Sequence, residues 1–199
     1  MTPDSAAIQI PEHVEMVVRV DENDVAIGVT EKLEAHRSGV LHRAFSVIVL
    51  SVGGELLMQQ RAMSKYHSGG LWSNACCGHP RPGEATIAAA ERRLREEMGI
   101  SCTLAPCDEF MYRAELDGGL IEHEYDHVLI GVHNDEPVPQ ASEVMAWRWS
   151  SADALTLSVA ARPEQYTAWL PLVLERALRR GLMSRLTTSG VLLGVLLGA

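Results

Sequence analysis

The sequence predicts an α/β domain in which a mixed β-sheet is sandwiched between α-helices. Two observations carry that expectation. Apolar runs of strand length stand before and after a helix-patterned stretch at the centre of the chain, and a second helix-patterned stretch follows them. The 199 residues are 47% hydrophobic, which supplies one substantial core and requires no second domain.

Taken in order, Val14 to Val20 is a β-branched run ended by Asp21-Glu22-Asn23-Asp24, which predicts a strand, a turn and a return through Val25 to Val29. Ala44 to Leu50 is nearly continuous apolar sequence, and Gly53-Gly54 separates it from Glu55 to Gln60, a hairpin with a buried first strand. Ser68-Gly69-Gly70 and Pro80-Arg81-Pro82-Gly83 then bracket a loop holding Trp72, Asn74, Cys77 and His79. From Glu84 to Met98 the apolar Ile87, Leu94 and Met98, with Ala90 between, fall on one helical stripe, and Gly99 is placed to stop it. Strands are expected over His127 to Val132 and Val144 to Trp149. The second helix, Glu164 to Arg180, turns Leu170, Val173, Leu174, Ala177 and Leu178 inward, although Pro171 weakens its first turn.

The formal net charge of -9 excludes a uniformly basic surface, and with it general binding to nucleic acid or anionic membranes. An anionic small-molecule ligand therefore needs a local cationic pocket or a metal. Four cysteines, at 76, 77, 102 and 107, do not make a secreted disulfide framework, so a reducing cytoplasm is expected. Residues 1–11 lack a secretory signal and are expected to form a tail, with the domain over 12–181 and a second tail over 182–199. Val191 to Ala199 is apolar but too short to span a bilayer, which needs about 20 residues.

Candidate chemistry gathers at the central helix and at scattered imidazoles. Arg92 and Glu96, like Arg93 and Glu97, stand four apart on a helix and share a face, which reads either as exposed ion pairs or as part of a phosphate and metal site. Glu97 is the leading candidate for Mg²⁺, leaving Arg93 free to address a phosphate. His36, His42 and His79 meet only if the fold brings them together. Glu122 and Glu124 point to one face if they lie on a strand, with His123 and His127 as rival ligands. Three imidazoles and two carboxylates suit Mn²⁺ or Zn²⁺. Cys76 and Cys77 offer two thiols, while a structural zinc site from Cys77, His79, Cys102 and Cys107 lacks the paired spacing such sites use. Tyr112 and Trp169 are core aromatics by base rate, and either also suits a pocket wall.

The stretch from Gly78 to Ile100 reads G-x5-E-x7-R-R-L-R-E-E-M-G-I and resembles the Nudix signature, with Arg92-Arg93 where hydrolases of that superfamily show Arg-Glu. Four further motifs narrow the resemblance: E-K-L-E-A-H from Glu31 to His36, R-A-M-S-K from Arg61 to Lys65, G-x-W-S-N-x-C-C-G-H-P from Gly70 to Pro80, and Y-R-A with E-H-E further on. Together they resemble the type I isopentenyl-diphosphate isomerases of the Nudix superfamily. The resemblance implies a Nudix fold and the exchange of isopentenyl and dimethylallyl diphosphate. It implies Cys77 and Glu124 as proton carriers, aided by Tyr112 and Trp169, and Lys32, Arg61, Lys65 and Arg93 as diphosphate ligands. His36, His42, His79, Glu122 and Glu124 become ligands of one Mn²⁺ or Zn²⁺, and Glu97 of Mg²⁺; the protein is expected as a monomer or weak dimer. A Nudix diphosphate hydrolase and a metal-stabilised binding module are the alternatives.

Overall fold

The computed structural model describes residues 14–180. The two expected tails and the apolar Val191 to Ala199 segment lie outside the described residues. Among these, nine strands and four α-helices form a mixed sheet with helices on both faces, as the sequence predicts. The first hairpin pairs β1 (Met16–Val20) with β2 (Ala26–Glu31), antiparallel. No sequence signal predicted α1 (Lys32–Ser38), where the Glu31 side chain caps the helix by accepting from the amides of Leu33 and Glu34.

β3 (His42–Leu50) is the hub of the sheet. On one edge it pairs in parallel with β8 (Ile121–Val132), and on the other it meets β6 (Cys76–Gly78) antiparallel. Its apolar run is continuous because both faces are buried. Ile48 and Leu50 face one core with Val128, Ile130, Leu155, Leu170, Val173 and Leu174, whereas Phe45, Val47 and Val49 face a second with Ala89, Ala90, Leu94 and Met98. The first core lies under α3 (Ala152–Ala161) and α4 (Leu170–Arg179), and the second under α2 (Thr86–Met98). β4 (Leu56–Arg61) links β5 (Trp72–Asn74) to β9 (Val144–Ser150), and β7 (Ala105–Glu115) flanks β8.

Several expectations need correction. The last helix starts at Leu170, after a 3-10 turn at Pro163–Gln165, because Pro171 lacks an amide hydrogen and fits only the opening turn. Leu178 and Ile87 are 40% and 37% exposed, so neither belongs to the inward stripe assigned to it. The strand expected from His127 begins six residues earlier, at Ile121, and the bracketed loop contains β5 and β6. Gly99 does stop α2: it stands at φ 68°, and its amide donates to the Arg95 carbonyl.

Candidate active site

Strand alternation decides which side chains share the site. Glu122, Glu124 and Asp126 occupy the face of β8 that further along buries Val128 and Ile130. His42 pairs in register with Glu124, so it shares that face. The site is thus the polar continuation of the core under α4. His36 reaches it from α1, and His79 from the end of β6.

Donor atoms of His36, His42, His79, Glu122 and Glu124 all lie within 4.8 Å of one another. Their hydrogen bonding fits a divalent cation. His36 Nδ1 is 2.7 Å from the Lys32 carbonyl and His42 Nδ1 2.8 Å from the Val40 carbonyl. A carbonyl only accepts, so each Nδ1 carries a hydrogen and, in the neutral ring, each Nε2 turns its lone pair to the cluster. His42 Nε2 faces His79 Nε2 at 3.2 Å, and Glu122 Oε2, 3.1 Å from His36 Nε2, has no hydrogen-bond partner. His123 and His127 lie elsewhere, on the Gly39 carbonyl and Asp24 respectively, so the rival ligands drop out. Cys102 and Cys107 are not in the cluster either, which removes the zinc site built on them.

Burial lowers His42 to about 4 and His79 well below its ordinary range, so both rings are neutral. Burial also opposes charge on His36, but Glu122 outweighs it and raises that ring. The same pairing draws Glu122 down to about 2 against its own burial. Glu124, buried and beside that anion, is raised well above the carboxylate range. Tyr112 pairs with Glu124 across β7 and β8, and its hydroxyl donates to Glu124 Oε2 at 2.6 Å.

Neighbouring strand residues point to opposite faces, and this separates the two thiols. Cys76 is fully buried in the core under α2. Cys77 lines a cavity of about 1170 Å³, together with Tyr112, Glu122, Glu124 and Trp169. Its Sγ lies 3.1 Å from Asn74 Oδ1, and burial pushes the thiol up to about 12. Because β6 and β8 flank β3 on opposite edges, Cys77 and Glu124 approach the cavity from two sides.

Lys32, Arg61, Lys65 and Arg93 also line this cavity. Each is held in place. Lys32 bonds Glu15 at 3.0 Å, Lys65 bonds Glu143, and the Arg61 guanidinium lies 5.4 Å from the centre of the Trp169 ring. Arg93 is not free, as the sequence reading supposed: it pairs with Glu96 at 2.7 Å, Glu97 at 2.5 Å and Glu143 at 3.3 Å. The helical spacing that brings Glu97 onto its face makes this unavoidable.

Sequence reasoning missed Asp126, His67 and Glu143. Asp126 is fully buried and accepts from Ser46 at 2.8 Å; the alternation Glu122, Glu124, Asp126 was a signal that could have found it. His67 stacks on His36 and stands 3.4 Å from Glu122, and nothing in its local sequence marks it.

Comparison with known proteins gives the family and the fold. The NUDIX domain family matches over residues 40–170. A protein of Burkholderia multivorans named isopentenyl-diphosphate Delta-isomerase is 50% identical over 163 residues, 82% of this chain and 93% of its own length. One of the same name from Pectobacterium atrosepticum is 53% identical over 160 residues, covering 80% and 89% of the two chains. Among solved structures, DR0079 from Deinococcus radiodurans superposes with a TM-score of 0.70 at 18% identity, over 82% of this chain and 99% of that one. A MutT protein of Methanosarcina mazei superposes at 0.58 and 19% identity, over 71% and 95%. At such identities the structural likeness is one of fold.

Proposed function

We infer the chemistry from one premise: the chain belongs to the NUDIX domain family and, within it, to the isopentenyl-diphosphate Delta-isomerases. It interconverts isopentenyl and dimethylallyl diphosphate by moving a double bond one position along a branched five-carbon chain. An alkene is a weak base, so the reaction needs a strong acid on one side and an acceptor on the other. The observation that carries our assignment is the approach of Cys77 and Glu124 to one cavity from the two edges of β3.

In the proposed mechanism one of these two groups gives a proton to the terminal carbon. The electron pair of the double bond forms the new C–H bond, leaving a tertiary cation. The other group then takes a proton from the adjacent carbon, and that C–H pair becomes the new double bond. Trp169 presents its ring to the cation, and the Tyr112 hydroxyl holds Glu124 in line. A buried site keeps water from capturing the cation as an alcohol. Lys32, Arg61, Lys65 and Arg93 bind the diphosphate, a handle whose binding energy positions the reacting carbons. When bound, Mn²⁺ or Zn²⁺ held by His36, His42, His79, Glu122 and Glu124 supplies charge that strengthens the acid at Glu124, and Mg²⁺ at Glu97 neutralises the diphosphate. The substrate is a small soluble diphosphate, and no helix among the described residues is long and apolar enough to cross a membrane.

A diphosphate hydrolase is the weaker reading. Among the described residues the group of convergent metal donors is the histidine–carboxylate cluster, and α2 contributes none of its members. Incubation with isopentenyl diphosphate and Mg²⁺ in deuterated water tests the choice. Deuterium in dimethylallyl diphosphate supports the isomerase. Free phosphate without exchange supports hydrolysis and overturns our reading.

A further inference from the structure

The mechanism uses Cys77 and Trp169, but it does not say what holds them relative to each other. They come from distant parts of the chain. Cys77 is in β6, and Trp169 is the N-cap residue just before α4. Between them runs a chain of hydrogen bonds. The Trp169 indole nitrogen donates to Ser73 Oγ at 3.0 Å, Ser73 donates to Asn74 Oδ1 at 3.1 Å, and the Cys77 thiol donates to the same Oδ1 at 3.1 Å.

We propose that Ser73 and Asn74 are positioning residues for the isomerisation, a clamp that sets the Trp169 ring and the Cys77 thiol at a fixed separation on the substrate. The inference rests on the roles given above to those two side chains. Its strength lies in how fully the clamp is used. Asn74 spends its two amide hydrogens on the Val47 carbonyl at 3.1 Å and the Cys76 carbonyl at 2.9 Å, which fixes the amide and aims Oδ1 at Cys77 and Ser73. A side-chain amide has two donor hydrogens and two acceptor lone pairs, and here all four are engaged. Ser73 is equally committed: its single hydrogen goes to Asn74, and it accepts from Trp169 and from Thr167 Oγ1, 3.2 Å away. Both side chains are buried, so water cannot substitute for a lost partner. Ser73 Oγ also stands 3.9 Å from the Cys77 Sγ, a second and direct contact between the clamp and the thiol.

A clamp of this kind acts chiefly on turnover, because Lys32, Lys65 and Arg93 are held by contacts of their own, while Arg61 packs on the Trp169 ring. Removing the Ser73 hydroxyl releases the indole and lets the ring drift. A displacement of about 1 Å is expected to lower the rate about 100-fold. It also lets water reach the cation, which adds its oxygen to the tertiary carbon and releases a proton.

The test compares Ser73→Ala, Ser73→Thr, Trp169→Phe, the double variant Ser73→Ala with Trp169→Phe, and Cys77→Ala, all as metal-loaded full chains turning over isopentenyl diphosphate with Mg²⁺. We expect Ser73→Ala to lose about 100-fold in kcat, with KM changed by about twofold or less and a tertiary alcohol among the products. Ser73→Thr, which keeps the hydroxyl, returns most of the loss. In the Trp169→Phe background, which has no indole donor, Ser73→Ala costs little more. Turnover of Ser73→Ala near wild type, a rise in KM that accounts for its loss, no rescue by threonine, or additive losses in the double variant would each overturn the clamp. Should Ser73→Ala not fold, Trp169→Phe and Ser73→Thr read the same bond from its two ends, and equal kcat in Trp169→Phe and wild type overturns it. An active Cys77→Ala enzyme, by contrast, overturns the mechanism on which the clamp rests.

Discussion

Replacing each of two adjacent cysteines by alanine should damage two different properties. Cys76 is fully buried among Val47, Ala89 and Leu94, and its thiol does not line the cavity. Removing its sulfur loses burial worth roughly 0.8 kcal/mol per methylene-sized group, plus a cavity contribution, or about 1–2 kcal/mol in total. For a chain of this length each kcal/mol lowers Tm by about 2–4 °C, so Cys76→Ala should melt about 2–8 °C early and turn over nearly normally. Cys77→Ala removes a proton carrier, and the expected loss of kcat is about 100- to 10,000-fold with little change in Tm. Calorimetry on the metal-loaded proteins and product formation from isopentenyl diphosphate measure the two quantities. Equal losses of turnover in both variants, or normal turnover in Cys77→Ala, would refute the assignment.

Three further outcomes are expected. Glu97→Gln should raise the Mg²⁺ concentration for half-maximal rate by at least about 10-fold, and an unchanged Mg²⁺ titration would remove Glu97 from the substrate's metal. Glu143 is partly buried, which opposes its charge, but the Lys65 bond and the Lys65 and Arg93 charges outweigh burial and lower its pKa below 4.5. Its contribution to stability is therefore complete above pH 4.5 and lost as pH falls through the lower, folded value. Urea unfolding of Glu143→Gln and wild type should differ at pH 7 and converge as pH falls through the lowered, folded pKa; a gap that widens in acid contradicts this sign. Chelation should abolish isomerisation while far-UV circular dichroism persists, because the ligands stand on a sheet with its own hydrogen bonds and core. Unfolding on chelation would favour the metal-stabilised binding module.

Much of the fold was legible because the strongest elements announce themselves by period. The apolar run of β3 is buried on both faces, and the Leu94–Met98 stripe of α2 with Gly99 behind it ends where expected. α1 escaped notice because seven residues with a glutamate cap carry too little periodicity. The N-terminal half of β8 did too, since its buried face is Glu122, Glu124 and Asp126, and acidic residues read as solvated unless something pairs them. Convergence of His36, His42 and His79 was beyond spacing alone; the family motifs pointed to it, and the backbone carbonyls of Lys32 and Val40 explain how the rings are aimed. The ion pairs that occupy Arg93 were half visible in its Glu97 partner, but Glu143 comes from a distant turn and left no local mark.

The placement of β6 and β8 on either edge of β3 turns the sheet into a ruler. Adjacent strands keep a spacing of about 4.8 Å, so the two that carry the thiol and the carboxylate run about 10 Å apart, and Glu124 stands at the level of His42, four residues along β3 from Ser46, the partner of Cys77. Strand spacing and register together thereby set where the two groups stand across and along the sheet. At the cationic rim Lys32, Lys65 and Arg93 come from three separate segments, and Glu143 ties the last two together.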